Sequence, residues 1–362
     1  MFVAHGLTPV QVASTLIAWS ITGIVLQIPA GAAADRWSRR AVLAVGQAVR
    51  AAGFLVWVIW PTYPGFLIGM IGWGVKSALT SGIFEALLYD ELAAMDRRES
   101  YAQLVGRTAA VSYVAVLAAS IGAFLSVSLG YPVVILASAA ASGAAALAAM
   151  SLPHARAALA VHKALDLTQI RDAAAFAFTH PAIPWVIGLA AVSIAFGGGL
   201  DGFWPIYASG TGLSVEHVAI FSGVISVGQI IANMTAHRLR RIPEAGFYLL
   251  VLAMGALLIL ATGVYQPWTI AIVAFVPGLF KLIDVNFDAR LQALIPSETR
   301  ATLGAIKTFV GQIVMTGLLA AFGALAQARS YRVAFLACGL ALAGTAVVFL
   351  AARRKNGGLD PA

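Results

Sequence analysis

Charge is what this sequence has least of. Only 10% of its 362 residues are Asp, Glu, Lys or Arg, and 60% are hydrophobic; soluble domains carry about 25% charged residues. That deficit excludes an ordinary soluble globular protein. Cysteine is nearly absent, with Cys338 alone, so an intrachain disulfide and a cysteine metal cluster are excluded. No GxxxxGK[ST] run is present, which argues against an ATP-driven pump. The histidines are scattered with no HExxH, and no GxSxG elbow occurs, so no metal site, no cofactor and no enzymatic activity is expected. Met1 to His5 has no basic stretch leading into an apolar core, so no signal peptide is expected. The net charge of +8 is broken into short clusters between apolar runs rather than gathered on one face. A nucleic-acid partner is therefore not expected, and contact with membrane lipid is.

Long apolar runs are present instead. Stretches of spanning length, about 20 residues, fall at roughly 10–34, 41–60, 65–89, 101–129, 131–152, 182–207, 215–236, 245–264, 268–292, 300–326 and 332–352. The fold class expected is an all-α membrane protein of about eleven transmembrane helices. Loops on one side carry Arg36, Arg39, Arg40, Arg97, Arg98, Arg156, Lys163, Arg171, Arg238, Arg240, Arg241, Arg300, Arg353, Arg354 and Lys355, while the other side carries Arg329 and Arg332. The positive-inside rule puts the first set, and with it the C-terminus, in the cytoplasm. This implies a multi-pass protein of the cell membrane. The long connection 153–181 reads in part as an amphipathic helix on the inner surface. It separates an N-terminal bundle, 1–152, from a C-terminal bundle, 182–362.

The two bundles repeat each other. Gly6-Leu7-Thr8 recurs as Gly212-Leu213-Ser214, Glu99 to Leu104 as Glu298 to Leu303, Gly122-Ala123 as Gly323-Ala324, and Tyr131 as Tyr331, all at offsets between 199 and 206. A spanning run precedes Gly212, whereas five residues precede Gly6. The expectation is that the chain begins at an internal methionine with about 30 residues lost upstream, the length of one span and its loop; a truncated paralogue is the alternative.

The turn between the first two spans reads Gly31-Ala-Ala-Ala-Asp35-Arg36-Trp37-Ser38-Arg39-Arg40. It resembles the helix 2–3 loop signature of the major facilitator superfamily, G-x-x-x-D-R-x-G-R-R, with Ser38 in place of the second glycine. The half-repeats and the long middle linker are similar to that family's as well. The resemblance implies two pseudo-symmetric bundles, the spans here being family helices 2–6 and 7–12, and secondary transport by alternating access. It implies a gating network of Gly31, Asp35, Arg36, Arg39 and Arg40 with Asp90 or Glu91. Family helices 4, 7 and 10 line the cavity, which would bring Lys76, Lys281 and Asp284 to it. Gly106 to Tyr131 does not match the family's antiporter run.

Ionisable groups inside spans are costly and point to function. Lys76 stands eleven residues after Gly65, about 16 Å into its span, and its helical neighbours supply no acid. Lys281 is its counterpart and has Asp284 and Asp288 on its own face, either for self-neutralisation or for proton exchange. Glu85 is a second candidate for the coupling proton, or a partner for a loop arginine. Lys76, Thr80, Lys281, Asp284 and Trp204 are the candidate substrate contacts; Glu85, Asp284 and Asp288 are the candidate proton groups. Trp204 and Tyr207 also fit an interface belt, with Asp201 nearby at the outer mouth. Asn286 is expected in a helix–helix hydrogen bond, and Arg50 in a structural pairing. The function expected is proton-coupled efflux of a small organic molecule by a monomer. Transport of an anionic metabolite, or a membrane protein that no longer transports, are the alternatives.

Overall fold

The computed structural model describes residues 1–36, 38–152, 183–239, 242–294 and 300–356. The expected surface helix in 153–181 lies outside the described residues, as do the side chains of Asp35, Arg36 and Asp288. The described residues form helices and short turns, with no strand among them. The chain divides into two compact units, Met1–His162 and Lys163–Ala362.

The first unit contains α1 (Pro9–Arg36), α2 (Arg39–Ile59), α3 (Tyr63–Thr80), α4 (Ile83–Ala94), α5 (Tyr101–Ser126) and α6 (Tyr131–Met150). The second contains α7 (Ile183–Ser193), α8 (Trp204–Gly210), α9 (Val215–Thr235), α10 (Glu244–Val264), α11 (Phe275–Leu294), α12 (Arg300–Ala328) and α13 (Tyr331–Asn356). Ten helices among the described residues are long and apolar enough to cross a membrane, α3 and α4 counting as one. The eleventh expected span, 182–207, is interrupted. α7 passes into a π-helical turn, Ile194–Gly198, and α8 begins only at Trp204. Three successive glycines, Gly197 to Gly199, lie in that stretch; glycine weakens a helix interior by roughly 1 kcal/mol relative to alanine.

The repeat read in the sequence is a repeat of structure. Gly6 and Gly212 both adopt left-handed backbone, at φ +80° and +92°. Each is followed two residues later by a hydroxyl residue that precedes a helix. Thr8 and Gln11 form a reciprocal cap on α1: the Gln11 N–H donates to Thr8 Oγ1 at 3.3 Å, and the Thr8 N–H donates to Gln11 Oε1 at 2.9 Å. On α9 the Ser214 hydroxyl meets His217 Nδ1 at 2.7 Å.

Packing partners repeat too. α1 lies on α3 as α9 lies on α11, and α2 on α6 as α10 on α13. Glycines set the close approaches. A Cβ on Gly74 would fall 2.6 Å from the Trp19 carbonyl oxygen, and one on Gly278 would fall 3.0 Å from that of Gly228. Helices packed by close approach of small residues gain dispersion contacts that lipid tails cannot match.

Two departures distinguish the first unit. Residues 65–89, expected as one helix, are two, because Ser81 turns extended and Gly82 takes φ +73° before α4 begins. The equivalent stretch of the second unit is continuous at the matching place, its own interruption falling earlier, at Ala274, between the short helix Ile270–Val273 and α11. The apolar spanning stretch of α5 is not buried anywhere along its length; Val111 and Val114 are 68% and 66% exposed. Its counterpart α12 packs on α7 and its π-turn, with Met315, Leu319 and Phe322 enclosed.

Candidate functional site

The turn between the first two helices of the first unit is built from helix ends. α1 runs on to Arg36 and α2 starts at Arg39. Ser38 stands between them in extended backbone at φ −115°, a region any residue adopts, so the missing family glycine costs nothing here. Gly31, expected at the turn, is instead within α1, where a Cβ would meet nothing. Arg39 reaches across to α4 and pairs with Asp90, Nη1 to Oδ2 at 2.5 Å, with side chains only 13% and 29% exposed. Arg40 donates to the Leu152 carbonyl at the end of α6 at 3.3 Å. Of the expected network, the structure therefore joins Arg39 with Asp90. Glu91 follows Asp90 on α4 and has a partner of its own.

Glu85 differs from its expected setting. It lies beyond the Gly82 break, in the first turn of α4, and is exposed. α3 alone measures about 27 Å for its 18 residues, so the break falls where the helix has nearly crossed the hydrocarbon.

Mid-span groups of the first unit gather where α2 meets α3. The Arg50 guanidinium lies 4.6 Å from the Trp73 ring centre and 5.6 Å from that of Phe54. No acid pairs with Arg50 among the described residues, so the expected structural pairing is replaced by stacking on aromatic rings. Lys76 follows Trp73 by one turn and is half-buried. The Thr80 hydroxyl donates back to the Lys76 carbonyl at 2.9 Å and caps the end of α3. Trp19 of α1 donates to the Ser77 hydroxyl at 3.3 Å, which fixes the face of α3 that α1 covers.

In the second unit Lys281 and Asp284 meet, Nζ to Oδ2 at 3.4 Å, with side chains 45% and 32% exposed. Asn286 is buried and donates to the Ala236 carbonyl at 3.1 Å and the Leu282 carbonyl at 2.9 Å, tying α11 to the turn after α9. Trp204 corrects the sequence reading. Its ring is 1% exposed and stacked on Phe335 with centres 5.5 Å apart, so it is core rather than a substrate contact. Tyr207 is equally enclosed, its hydroxyl 2.9 Å from that of Thr269. Asp201 stands in the gap between the π-turn and α8, near Gln229 of α9.

Sequence reasoning missed two arginines that fasten carbonyls. Arg290 donates to the Ile242 carbonyl and stacks on Phe247 and Phe287. Arg332 donates to the Thr262 and Gly263 carbonyls at the end of α10 and lies over Tyr265. For Arg332 the signal available was a cation at the very edge of a span with no acid near it in sequence, which suits a helix C-terminus; Arg290, two residues after Asp288, carried no such signal.

Two repeated helical bundles with short polar turns and charged groups inside their spans define a polytopic membrane protein of the transporter class. The sequence matches the Major Facilitator Superfamily over residues 1–315, and the chain belongs to that family. No curated protein matches it. Among solved structures, a variant of the nucleoside transporter NupG is similar at TM-score 0.78 and 14% identity, covering 97% of this chain and 93% of that one. A bacterial homologue of the human lysosomal transporter Spinster reaches 0.69 at 14%, with 98% and 94% covered. The xylose transporter XylE from E. coli reaches 0.67 at 12%, with 97% and 88% covered. At such identities the likeness is one of fold.

Proposed function

We propose that this chain is a proton-coupled secondary transporter that moves a small organic molecule across the cell membrane by alternating access, as a monomer with its C-terminus in the cytoplasm. The observation that carries the coupling is the Lys281–Asp284 pair. A carboxylate inside a span is costly, and this one lies 3.4 Å from an ammonium and is still about one-third exposed, so it has both a cationic partner and access to water. Protonation of Asp284 releases Lys281 from its partner. That ties one proton to one rearrangement of side chains. A D-xylose-proton symporter shares the fold at TM-score 0.69, which supports proton coupling as chemistry this architecture accommodates. The Arg39–Asp90 pair is the inner latch in this reading.

The test uses purified chain in liposomes with an imposed pH gradient and radiolabelled uridine, xylose and benzoate as probes. Flux of at least one probe should follow the gradient, and inside-out vesicles report whether the direction is export. Asp284→Asn should abolish the response to the gradient while leaving probe-for-probe exchange intact. Absence of flux for every probe in both orientations overturns the transport reading. A gradient response that survives Asp284→Asn overturns the coupling role of this carboxylate.

A further inference from the structure

The repeat supplies an internal comparison that isolates one place in the first unit. Lys281 has an acid three residues on, and pairs with it. Lys76, its counterpart, has Leu79 at that position. Arg50 adds a second cation, while the residue 205 positions later is Gly255. The second unit is therefore locally neutral at this depth, and the first carries two positive charges.

Their placement is specific. Arg50 is eleven residues into α2 and Lys76 thirteen into α3, about 16 and 20 Å from the starts of their helices, both within the hydrocarbon thickness of about 30 Å. Trp73 and Phe54 hold the Arg50 guanidinium at the α2–α3 seam, and Lys76 follows Trp73 by one turn of α3. Neither cation has an ion pair among the described residues. Asp90 is taken by Arg39, and Glu85 lies past the Gly82 break. Arg50 Nε and Trp73 Nε1 are both enclosed with no hydrogen-bond acceptor among the described residues. A charge at such depth is costly even when local relaxation helps, and two like charges add repulsion. The chain keeps both, and orients one of them with aromatic rings.

We infer that Arg50 and Lys76 together form the binding locus for the anionic group, carboxylate or phosphate, of the transported molecule. The inference rests on the transport reading and names its substrate class. A planar guanidinium takes two oxygens of such a group side by side, and an ammonium supplies a third contact. Trp73 acts as a positioning residue: it holds Arg50 in place through its ring.

Binding is measured on the purified full chain in phosphatidylcholine nanodiscs, with benzoate, phenylphosphate and glutarate as anions and benzamide as the neutral control. At least one anion should bind, and benzamide should not. Lys76→Met and Arg50→Met should each weaken that binding about ten- to a hundredfold, the worth of one charge-assisted hydrogen bond. Arg50→Lys should keep part of it, and Trp73→Leu should weaken it only while Arg50 is present. Binding of benzamide as tight as benzoate, anion binding unchanged in both Met variants, or no binding by any of the three anions overturns the inference. So does loss of anion binding when phosphatidylglycerol is added to the nanodisc, since the occupant is then a lipid headgroup. Failure here is separable from failure of transport: gradient-driven uridine flux unaffected by Lys76→Met leaves the transporter standing without the anion site.

Discussion

Gly255→Leu is expected to cost the second unit its fold. The Gly255 Cα lies in α10 where that helix crosses α13, and a Cβ built there falls 2.7 Å from the Ala343 nitrogen and 2.8 Å from the Gly339 oxygen. Both are main-chain atoms, so no rotamer change relieves the clash and the helices must part. Phe247, Tyr248, Val251, Met254 and Leu258 of α10 are essentially enclosed, and a displacement at the crossing opens gaps around several of them. Over-packing costs typically 1–3 kcal/mol and occasionally more. Gly255→Ala should therefore lose about 2 kcal/mol, and Gly255→Leu should yield little monodisperse protein in detergent. Gly263→Ala on the same helix is the control. A Cβ there meets nothing, and replacing a helical glycine gains up to about 1 kcal/mol. Melting followed by intrinsic tryptophan fluorescence separates the three; a Gly255→Leu protein that melts with the parent shows that the α10–α13 crossing is not a tight contact.

Loss of the Arg39–Asp90 pair should have the largest effect on transport. Arg39 is the first residue of α2 and Asp90 lies in the last part of α4, so the pair joins two helices that the chain connects only through α3. Both side chains are largely shielded, and a charge-assisted hydrogen bond of that kind contributes about 1.5–3 kcal/mol. Removing either partner shifts any equilibrium in which the pair opens and closes by about tenfold or more. Arg39→Ala and Asp90→Ala should each cut the transport rate by at least about tenfold with the protein still folded. The exchanged variant, Arg39→Asp with Asp90→Arg, should recover a measurable part. Equal activity in the single variants would remove the pair from the transport cycle.

The spans were legible because hydrocarbon imposes a length and an apolar composition that no other constraint mimics. The repeat was legible for a similar reason: Gly6 and Gly212 are bound to left-handed backbone, and the hydroxyl residues Thr8 and Ser214 stand just ahead of α1 and α9, Thr8 as a side-chain cap. What escaped was local. The interruptions at Gly82 and around Gly197 to Gly199 carry no proline, and a glycine inside an apolar run reads equally as a packing contact, as Gly74 is. Trp204 was misplaced because an aromatic near a helix end suits a membrane interface and a core alike. Arg50 was expected in a structural pairing with no partner named, and its neighbours are ring faces, which leave no charge signature in the sequence. Asp288 stayed outside the described residues, so that part of the candidate proton relay rests on sequence alone.

The π-turn at Ile194–Gly198 holds one residue more than an α-helical turn would. Shedding that surplus would advance everything after it by one residue's worth of helical rotation, about 100°. Asp201 lies three residues past that turn, in the stretch before α8, so its carboxylate would turn with it. The glycines beside it are already seated on Phe280 and Met315 and add no side chains of their own to resist the turn. Such a change of winding, rather than the bending of a rod, would re-aim that carboxylate.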